Sequence, residues 1–316
     1  MDKNSDNWER ELLEKLASSS ITEQQRARRW GIFFKFLTFA YLITLLLLWM
    51  PNELPTTSLK GDEGHTALVE IKGVIADGSE ASADNVISGL RSAFEDEDTK
   101  GVVLRINSPG GSAVQSGYIN DEIRRLKEKY EDIPLYAVVT DMCASGGYYI
   151  AAAADKIYVD KASIVGSIGV LMGTFGFEKG MEKLGIERRL LTAGEHKAIL
   201  DPFSPLREEE RIHIEGMLDQ VHQQFISAVK EGRGDRLKSD DKIFSGLFWS
   251  GEESIKLGLA DALGSSSYVA REVIKAETIV DFTPAEDLVE RFAKRMGAGA
   301  ASFLTNFSGI GRGAGL

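Results

Sequence analysis

The chain has 316 residues, of which 43% are apolar, so it is long enough to bury a sizeable core. Its 37 basic and 48 acidic residues give a net charge of −11, which repels phosphate backbones and argues against a nucleic-acid partner. With Cys143 as its single cysteine, the chain can form neither an intrachain disulfide nor a cysteine-based metal cage. No motif implies a metal or an organic cofactor.

An apolar run at residues 30–50 contains Lys35 as its only charged residue. As a helix rising about 1.5 Å per residue, this run would span about 31 Å, the thickness of a bilayer's hydrocarbon core. Trp30 and Trp49 stand at its two ends, where an indole ring prefers the membrane interface. A cleaved signal peptide is the alternative, but the polar residues 1–29 precede the run and no small-residue cleavage motif follows it. The run therefore predicts one uncleaved transmembrane helix.

Charged residues on the two flanks of this run set its expected orientation. Arginines precede it and mainly acidic residues follow it: Arg26, Arg28 and Arg29 before, and Glu53, Asp62, Glu63 and Lys60 after. By the positive-inside rule, residues 1–29 stay in the cytoplasm and the chain beyond residue 50 is translocated. In a Gram-negative cell this predicts a single-pass protein of the inner membrane whose larger part lies in the periplasm.

Residues 51–66 form a polar linker, and residues 67–280 alternate strand-like apolar runs with helical patterns. The strand-like runs begin at Ala67, Gly101, Leu135 and Lys156. Residues 113–130 keep helical spacing, and a later helix is predicted to begin near Ser204, which a proline follows. The alternation predicts an α/β domain with a parallel sheet flanked by helices, in which sites gather at the carboxyl ends of strands. Residues 281–316 form a tail that is predicted to be a disordered end, with an interaction or membrane-surface segment as the alternative.

Glycine-bearing turns follow the second and third predicted strands. The second strand ends at Ser108-Pro109-Gly110-Gly111, and the third at Ala144-Ser145-Gly146-Gly147. Taken alone, the first is more often a tight turn, and Ser145 could be an ordinary helix N-cap. Neighbouring turns of this kind can together supply two amide donors to one oxyanion, with Ser145 at a helix N-terminus. The pair therefore favours acyl chemistry at Ser145.

A nucleophilic serine needs a base. None of the four histidines resembles a triad partner with an acidic orienter: His65, His196, His213 and His222. Lys197, in a loop followed by the apolar residues 198–200, is the better candidate. A lysine serves as a base only where burial lowers its pKa from ~10.4 to about 8, at a cost of roughly 3 kcal/mol. From spacing alone, a solvated loop lysine is the more usual interpretation.

Four motifs follow one another: INSPGG from Ile106, DMCASGGYYIA from Asp141, GSIGV from Gly166 and GEHKAILDPFSP from Gly194. In order and spacing they resemble the signal peptide peptidase A family over about residues 67–270. The resemblance implies a fold similar to that of the Clp protease and the crotonases, and a membrane-anchored serine endopeptidase with a Ser/Lys dyad. The segment Phe244–Gly251 departs from the family's pattern and obscures the strand expected there.

The resemblance also implies the site residues. Ser145 would be the nucleophile, Lys197 the general base, and Ser167 the hydroxyl that orients the lysine ammonium. The amides of the oxyanion hole would come from Gly110, Gly111 and Gly146.

The expected partners also follow from the resemblance. Substrates would be signal peptide remnants and other unfolded segments near the membrane, bound in a pocket that prefers apolar or small side chains. In the family's one-domain members the subunits form a ring of eight, and the lysine reaches the serine of a neighbouring subunit. A homo-oligomer, specifically an octamer, is therefore expected.

Other interpretations compete with this one. Cys143 could act as a nucleophile, but at a strand end its side chain is expected to point elsewhere. A crotonase-like acyl-CoA enzyme also uses two amides on an oxyanion, although a membrane anchor and a nucleophilic serine do not suit it. A non-catalytic membrane scaffold with the same fold is the third alternative.

Overall fold

A computed structural model describes residue 26, residues 28–44 and residues 64–284. The chain divides into two compact units, Met1–Gly61 and Asp62–Leu316. In the first unit, residues 28–44 form a helix, α1, whose side chains are exposed. The rest of the predicted span, residues 45–50, lies outside the described residues. No helix in the described ranges combines the length and the hydropathy that crossing a bilayer requires. The transmembrane helix stays a prediction.

In the second unit the described residues form an eight-stranded sheet in the order β6-β5-β3-β2-β1-β8, with β4 paired to β3 and β7. The strands are β1 His65–Lys72, β2 Thr99–Ser108, β3 Leu135–Ala144, β4 Lys156–Val159, β5 Ile164–Gly166, β6 Phe248–Ser250, β7 Ala262–Leu263 and β8 Ile279–Asp281. Every pairing is parallel except that of β5 with β6. The predicted mainly parallel sheet is confirmed.

Helices cover this sheet. They are α2 Ala83–Glu95, α3 Ala113–Lys129, α4 Gly146–Ala151, α5 Glu178–Lys183, α6 Glu208–Arg233, α7 Gly251–Lys256 and α8 Ser266–Tyr268, with 3-10 turns at Gly234–Arg236 and Asp241–Phe244 and a π-helical turn at Val269–Ile274. α6 begins at Glu208, so the prediction that it begins near Ser204 is wrong. The Ser204 hydroxyl donates to the Asp201 carboxylate at 2.7 Å instead of capping the helix.

The main core lies between the sheet and helices α2 and α3. Apolar residues three or four positions apart give each helix a buried face: Val86, Leu90 and Phe94 on α2, and Ile119, Ile123 and Leu126 on α3. The alternate strand residues Ala67, Val69 and Ile71 pack against them. On the opposite face, a smaller cluster includes Leu68, Val103 and Val269. Both faces of the central strands are thus buried, as parallel strands require.

Buried ion pairs link helices to this framework. Arg233, at the end of α6, is fully buried and makes a bidentate bond to the Asp261 carboxylate at 2.9 and 3.0 Å. On α3, the buried Glu122 carboxylate accepts hydrogen bonds from Arg125 and Arg91. These bonds outweigh the effect of burial and lower the pKa of Glu122 to about 2. Removing the Asp261 carboxylate would leave the buried charge of Arg233 without its partner.

Strand β3 pairs with two different strands on the same side, and this arrangement positions the candidate site. Its first half pairs with β4, and its second half pairs with β5. Near its carboxyl end, Cys143 lies opposite Ser108 of β2, and Ala144 lies opposite Gly166 of β5. The turns that follow β2, β3 and β5 therefore lie side by side.

Candidate active site

A cleft of about 1000 Å³ opens where these turns meet. The predicted site residues Gly111, Ser145, Gly146 and Ser167 all line it. Its walls come from α3, α4, α6 and the segments after β5 and before β6, with side chains such as Tyr118, Tyr149, Val170, Phe225 and Phe244. The structure thus brings together residues that lie more than fifty positions apart in the sequence. The lining of the cleft is more apolar than polar.

Ser145 occupies the turn between β3 and α4 in a strained conformation, with φ 51° and ψ −121°. Its backbone N–H donates to the Gly166 carbonyl at 2.8 Å. Although Ser145 stands at the N-cap position of α4, its side chain makes no capping bond, unlike that of Ser112 at the start of α3. The interpretation of Ser145 as an ordinary N-cap is therefore wrong. A positive φ at a non-glycine residue costs about 1–3 kcal/mol and is concentrated at functional sites.

The amides of Gly111 and Gly146 lie beside this serine. A Cβ on Gly146 would lie only 3.2 Å from the Gly111 nitrogen, so the two amides are neighbours. Within residues 64–284, neither amide donates a hydrogen bond. Free N–H donors next to a nucleophile are what an oxyanion requires.

Gly110 contributes in a different way from the one predicted. Its own N–H donates to the Ser108 hydroxyl at 3.1 Å and is not free for an oxyanion. Its φ is +97°, and a Cβ there would lie 2.6 Å from the Gly146 nitrogen and 2.7 Å from the Ser145 Cβ. Gly110 therefore lets the first turn approach the serine, and Gly111 carries the free amide.

Ser167 follows β5 and also has a positive φ, 52°. Its N–H donates to the Leu247 carbonyl at 2.7 Å. The indole of Trp249 covers the preceding residue, since a Cβ on Gly166 would meet its ring at 2.8 Å. Strand β6 and the residue before it thus fix the turn that holds Ser167 in the lining of the cleft.

Lys197 lies outside the cleft that contains Ser145. It belongs to residues 169–207 between β5 and α6, a segment that we call the arm. Its side chain is exposed and does not line the cleft that contains Ser145. A lysine base has to be buried, and within a single chain Lys197 is exposed, as are residues 191–196 before it. The arm exposes many large apolar side chains: Leu171, Met172, Phe175, Phe177, Leu184, Ile186, Leu190, Leu191, Phe203 and Leu206.

One histidine that the sequence did not single out reaches the cleft. His222, on α6, lines it, and its Nε2 lies 3.2 Å from the carbonyl oxygen of Ile168. Helical spacing offers the signal that could have found it, since His222 stands three residues before the buried Phe225 and seven before the buried Val229.

Cys143 is fully buried in β3, and burial raises the pKa of its thiol well above the ordinary range. A protonated, enclosed thiol is a poor nucleophile. The structure therefore gives no support to Cys143 as a reactive residue.

Potential metal ligands occur on and beside the arm. Glu195, His196 and Glu209 can place ligand atoms within 4.8 Å of one another, and all three are exposed. The guanidinium of Arg207 already contacts all three of these residues. It donates to the Glu195 carbonyl at 2.9 Å, lies 3.2 Å from His196 Nδ1, and pairs with Glu209 at 3.2 Å. A cationic side chain therefore fills the position that an ion would take.

An uncapped serine on a strained strand-to-helix turn, beside two free amides, is typical of α/β enzymes that form acyl intermediates. Comparison with known proteins places the chain in a peptidase family. Residues 127–279 match the family model described as Peptidase family S49. The chain is 30% identical over 245 residues to "Putative signal peptide peptidase SppA" of Enterococcus faecium, covering 74% of this chain and 71% of that protein. It is 33% identical over 221 residues to a protein of Methanocaldococcus jannaschii named as a putative protease, covering 70% and 69%. The chain belongs to peptidase family S49.

A further relative carries a different name. The chain is 45% identical over 175 residues to "Na(+)/H(+) antiporter NhaA" of Brucella melitensis. The match covers 55% of this chain but 24% of that protein, so the chain spans about a quarter of that relative's length.

Proposed function

We propose that this chain is a serine endopeptidase in which Ser145 is the nucleophile and Lys197 the general base. The observation that carries the proposal is the uncapped Ser145 side chain beside the free amides of Gly111 and Gly146. Membership of a peptidase family supports it independently.

The reaction begins when a neutral Lys197 amine takes the Ser145 proton as the hydroxyl oxygen attacks a peptide carbonyl. The carbonyl oxygen becomes negatively charged, and the Gly111 and Gly146 amides stabilise it. The carbon–nitrogen bond then breaks, and the lysine ammonium returns the proton to the leaving amine. Water attacks the resulting ester with Lys197 again acting as base, which frees the acid and regenerates Ser145. Ser167 orients the lysine during both steps.

Lys197 acts on the serine of a second copy of the chain. Support comes from its exposed position on the arm, outside the cleft of its own chain. A neighbouring subunit would also cover the apolar side chains that the arm exposes, and patches of this kind mark association surfaces. Burial of the lysine in that interface would favour the neutral amine. We propose a closed homo-oligomeric ring, an octamer by resemblance.

Residues 30–50 anchor the enzyme in the inner membrane, with the N-terminus in the cytoplasm and the peptidase domain on the periplasmic side. The exposed apolar side chains of α1 and the arginines at its N-terminal end support this arrangement. Substrates would be signal peptide remnants and other unfolded segments near the membrane. The mainly apolar walls of the cleft suit such peptides.

The test compares the full chain, purified in detergent, with Ser145→Ala and Lys197→Ala on an unfolded fluorogenic peptide. Wild type should cleave it, and both variants should lose activity while keeping their circular dichroism spectrum and oligomeric state. Cleavage by either variant at the wild-type rate would refute the dyad. A wild-type chain that oligomerises but neither cleaves peptides nor reacts with a fluorophosphonate would favour the scaffold.

Co-expression of the two inactive variants tests the shared dyad. If subunits mix at random, a site has an intact serine and an intact neighbouring lysine in about one quarter of cases. Mixed rings should therefore recover about a quarter of wild-type activity. No recovery in verified mixed rings would place the dyad within one chain.

A further inference from the structure

The segment from Gly166 to Ile168 is held from three directions. The Gly166 carbonyl accepts the Ser145 N–H at 2.8 Å, and the Ser167 N–H donates to the Leu247 carbonyl at 2.7 Å. The third bond joins the Ile168 carbonyl to His222 Nε2 at 3.2 Å. Because a carbonyl oxygen only accepts, Nε2 carries the hydrogen in this bond. His222 therefore donates to the residue directly after Ser167.

This contact restrains a strained residue. Ser167 has a φ of 52°, a conformation that persists only where the surroundings enforce it. The bonds of Gly166 and Leu247 hold Ser167 on its N-terminal side, and the Ile168 carbonyl lies on its C-terminal side. Beyond Ile168 the chain leaves the sheet and becomes the arm, where Leu171 is 89% exposed. His222 thus fixes the point at which the catalytic turn becomes the arm.

The helix that carries His222 is itself well anchored. One turn further on, Phe225 packs on the Tyr149 ring with centroids 5.0 Å apart, and the Tyr149 N–H donates to the Ser145 carbonyl at 2.9 Å. Arg233 fixes the end of α6 through its buried pair with Asp261. By contrast, Glu210 is the only buried residue of α6 before Phe225. His222 stands where α6 joins the core, so its imidazole is firmly placed relative to the cleft.

We propose that His222 is a positioning residue of the peptidase site: its Nε2–H holds the Ile168 carbonyl so that the Ser167 hydroxyl keeps the place from which it orients the lysine. This inference rests on the proposed function, in which Ser167 has that role. It goes beyond the dyad because His222 neither accepts the serine proton nor contacts the reacting carbonyl. Its loss should slow acylation and leave substrate binding nearly unchanged.

The test uses the full chain in detergent and measures kcat and KM for peptide cleavage and the labelling rate of Ser145 by a fluorophosphonate. His222→Phe keeps a ring but loses the donor, and His222→Gln restores an amide donor. His213→Phe is the matched control, since His213 lies on the same helix and is exposed. We expect His222→Phe to lower kcat and labelling about tenfold, the effect of one misplaced hydrogen bond. His222→Gln should recover most of the rate, and His213→Phe should match wild type.

A double variant shows whether His222 acts through Ser167. If it does, adding His222→Phe to Ser167→Ala should lower the rate no further than Ser167→Ala alone. Losses that multiply, a change in KM instead of kcat, or wild-type labelling by His222→Phe would each overturn the inference. If His222→Phe fails to fold, His222→Ala, which also lacks the donor, replaces it in both comparisons. A wild-type chain that neither labels nor cleaves would instead refute the proposed function, so the two failures are distinguishable.

Discussion

Gly110 is the position where a single added methyl group should separate folding from catalysis. A Cβ there would lie 2.6 Å from the Gly146 nitrogen, 2.7 Å from the Ser145 Cβ and 2.8 Å from the Ala144 carbonyl oxygen. All three atoms belong to the backbone or directly adjoin it, so none can rotate away. Gly110→Ala must therefore push the first turn away from Ser145.

The size of each effect follows from this geometry. An alanine forced to adopt the φ of +97° costs about 1–3 kcal/mol, which lowers the Tm of a domain of this size by about 2–12 °C. The displacement also separates the Gly111 amide from the Gly146 amide. Loss of one oxyanion donor slows acyl transfer about 10²–10³-fold. Gly110→Ala should thus remain folded and lose at least about 99% of its activity.

The assay is the time course of Ser145 labelling by a fluorophosphonate, read beside a thermal melt. Gly216→Ala is the control, because Gly216 lies in α6 with nothing within 4 Å of an added Cβ. That control should label at the wild-type rate and gain about 0.5–1 kcal/mol of stability. Labelling of a folded Gly110→Ala protein within threefold of wild type would refute this account of the turn.

Further predictions concern the framework. Asp261→Asn should lower the free energy of unfolding by about 3 kcal/mol in urea, because it leaves the buried Arg233 without its counter-charge. Glu253→Gln, at an exposed ion pair, should cost less than about 1 kcal/mol, and equal losses would contradict the assignment. Cys143 should resist thiol reagents until urea unfolds the chain, and Cys143→Ala should keep fluorophosphonate labelling; rapid native modification would show that the thiol is accessible. The carboxylate of Glu122 has its pKa lowered to about 2 by its two arginines, so its stabilising contribution is present above about pH 4.5 and is lost as the pH falls toward 2. Glu122→Gln should flatten that part of the stability profile, whereas a curve parallel to wild type would be inconsistent with it.

Local sequence patterns were sufficient to predict the elements around the serine. Apolar strand runs alternating with helical spacing indicated the parallel sheet, and glycines at two strand ends indicated the turns near Ser145. Gly111 and Gly146 lie together because both turns follow neighbouring parallel strands. This arrangement follows from the general rule that carboxyl ends of parallel strands meet at one edge.

Long-range pairing was harder to predict. The division of β3 between β4 and β5 depends on partners far along the chain, and nothing within residues 135–144 indicates it. Strand β6 is hidden in a glycine-rich segment and pairs antiparallel to β5. It supports the Ser167 turn through the Trp249 ring against Gly166 and through the preceding Leu247, whose carbonyl accepts the Ser167 N–H.

The environment of Lys197 could not be predicted for a different reason. Residue chemistry indicated that a lysine base has to be desolvated, and the structure of one chain leaves this lysine exposed. The burial of a side chain on an exposed arm depends on what covers the arm. The sequence of one chain does not show which surface covers the arm. His222 was missed for a related reason, since its proposed role depends on a contact with the carbonyl of Ile168, which is distant in the sequence.

The most direct test of the central claim is to locate the acylated residue. The full chain is treated with a fluorophosphonate until peptide cleavage stops, and the modified residue is identified by mass spectrometry of its proteolytic fragments. The account predicts one adduct per chain, on Ser145, with cleavage lost in proportion to its formation. An adduct on another residue, or full cleavage activity after Ser145 is completely modified, would contradict it.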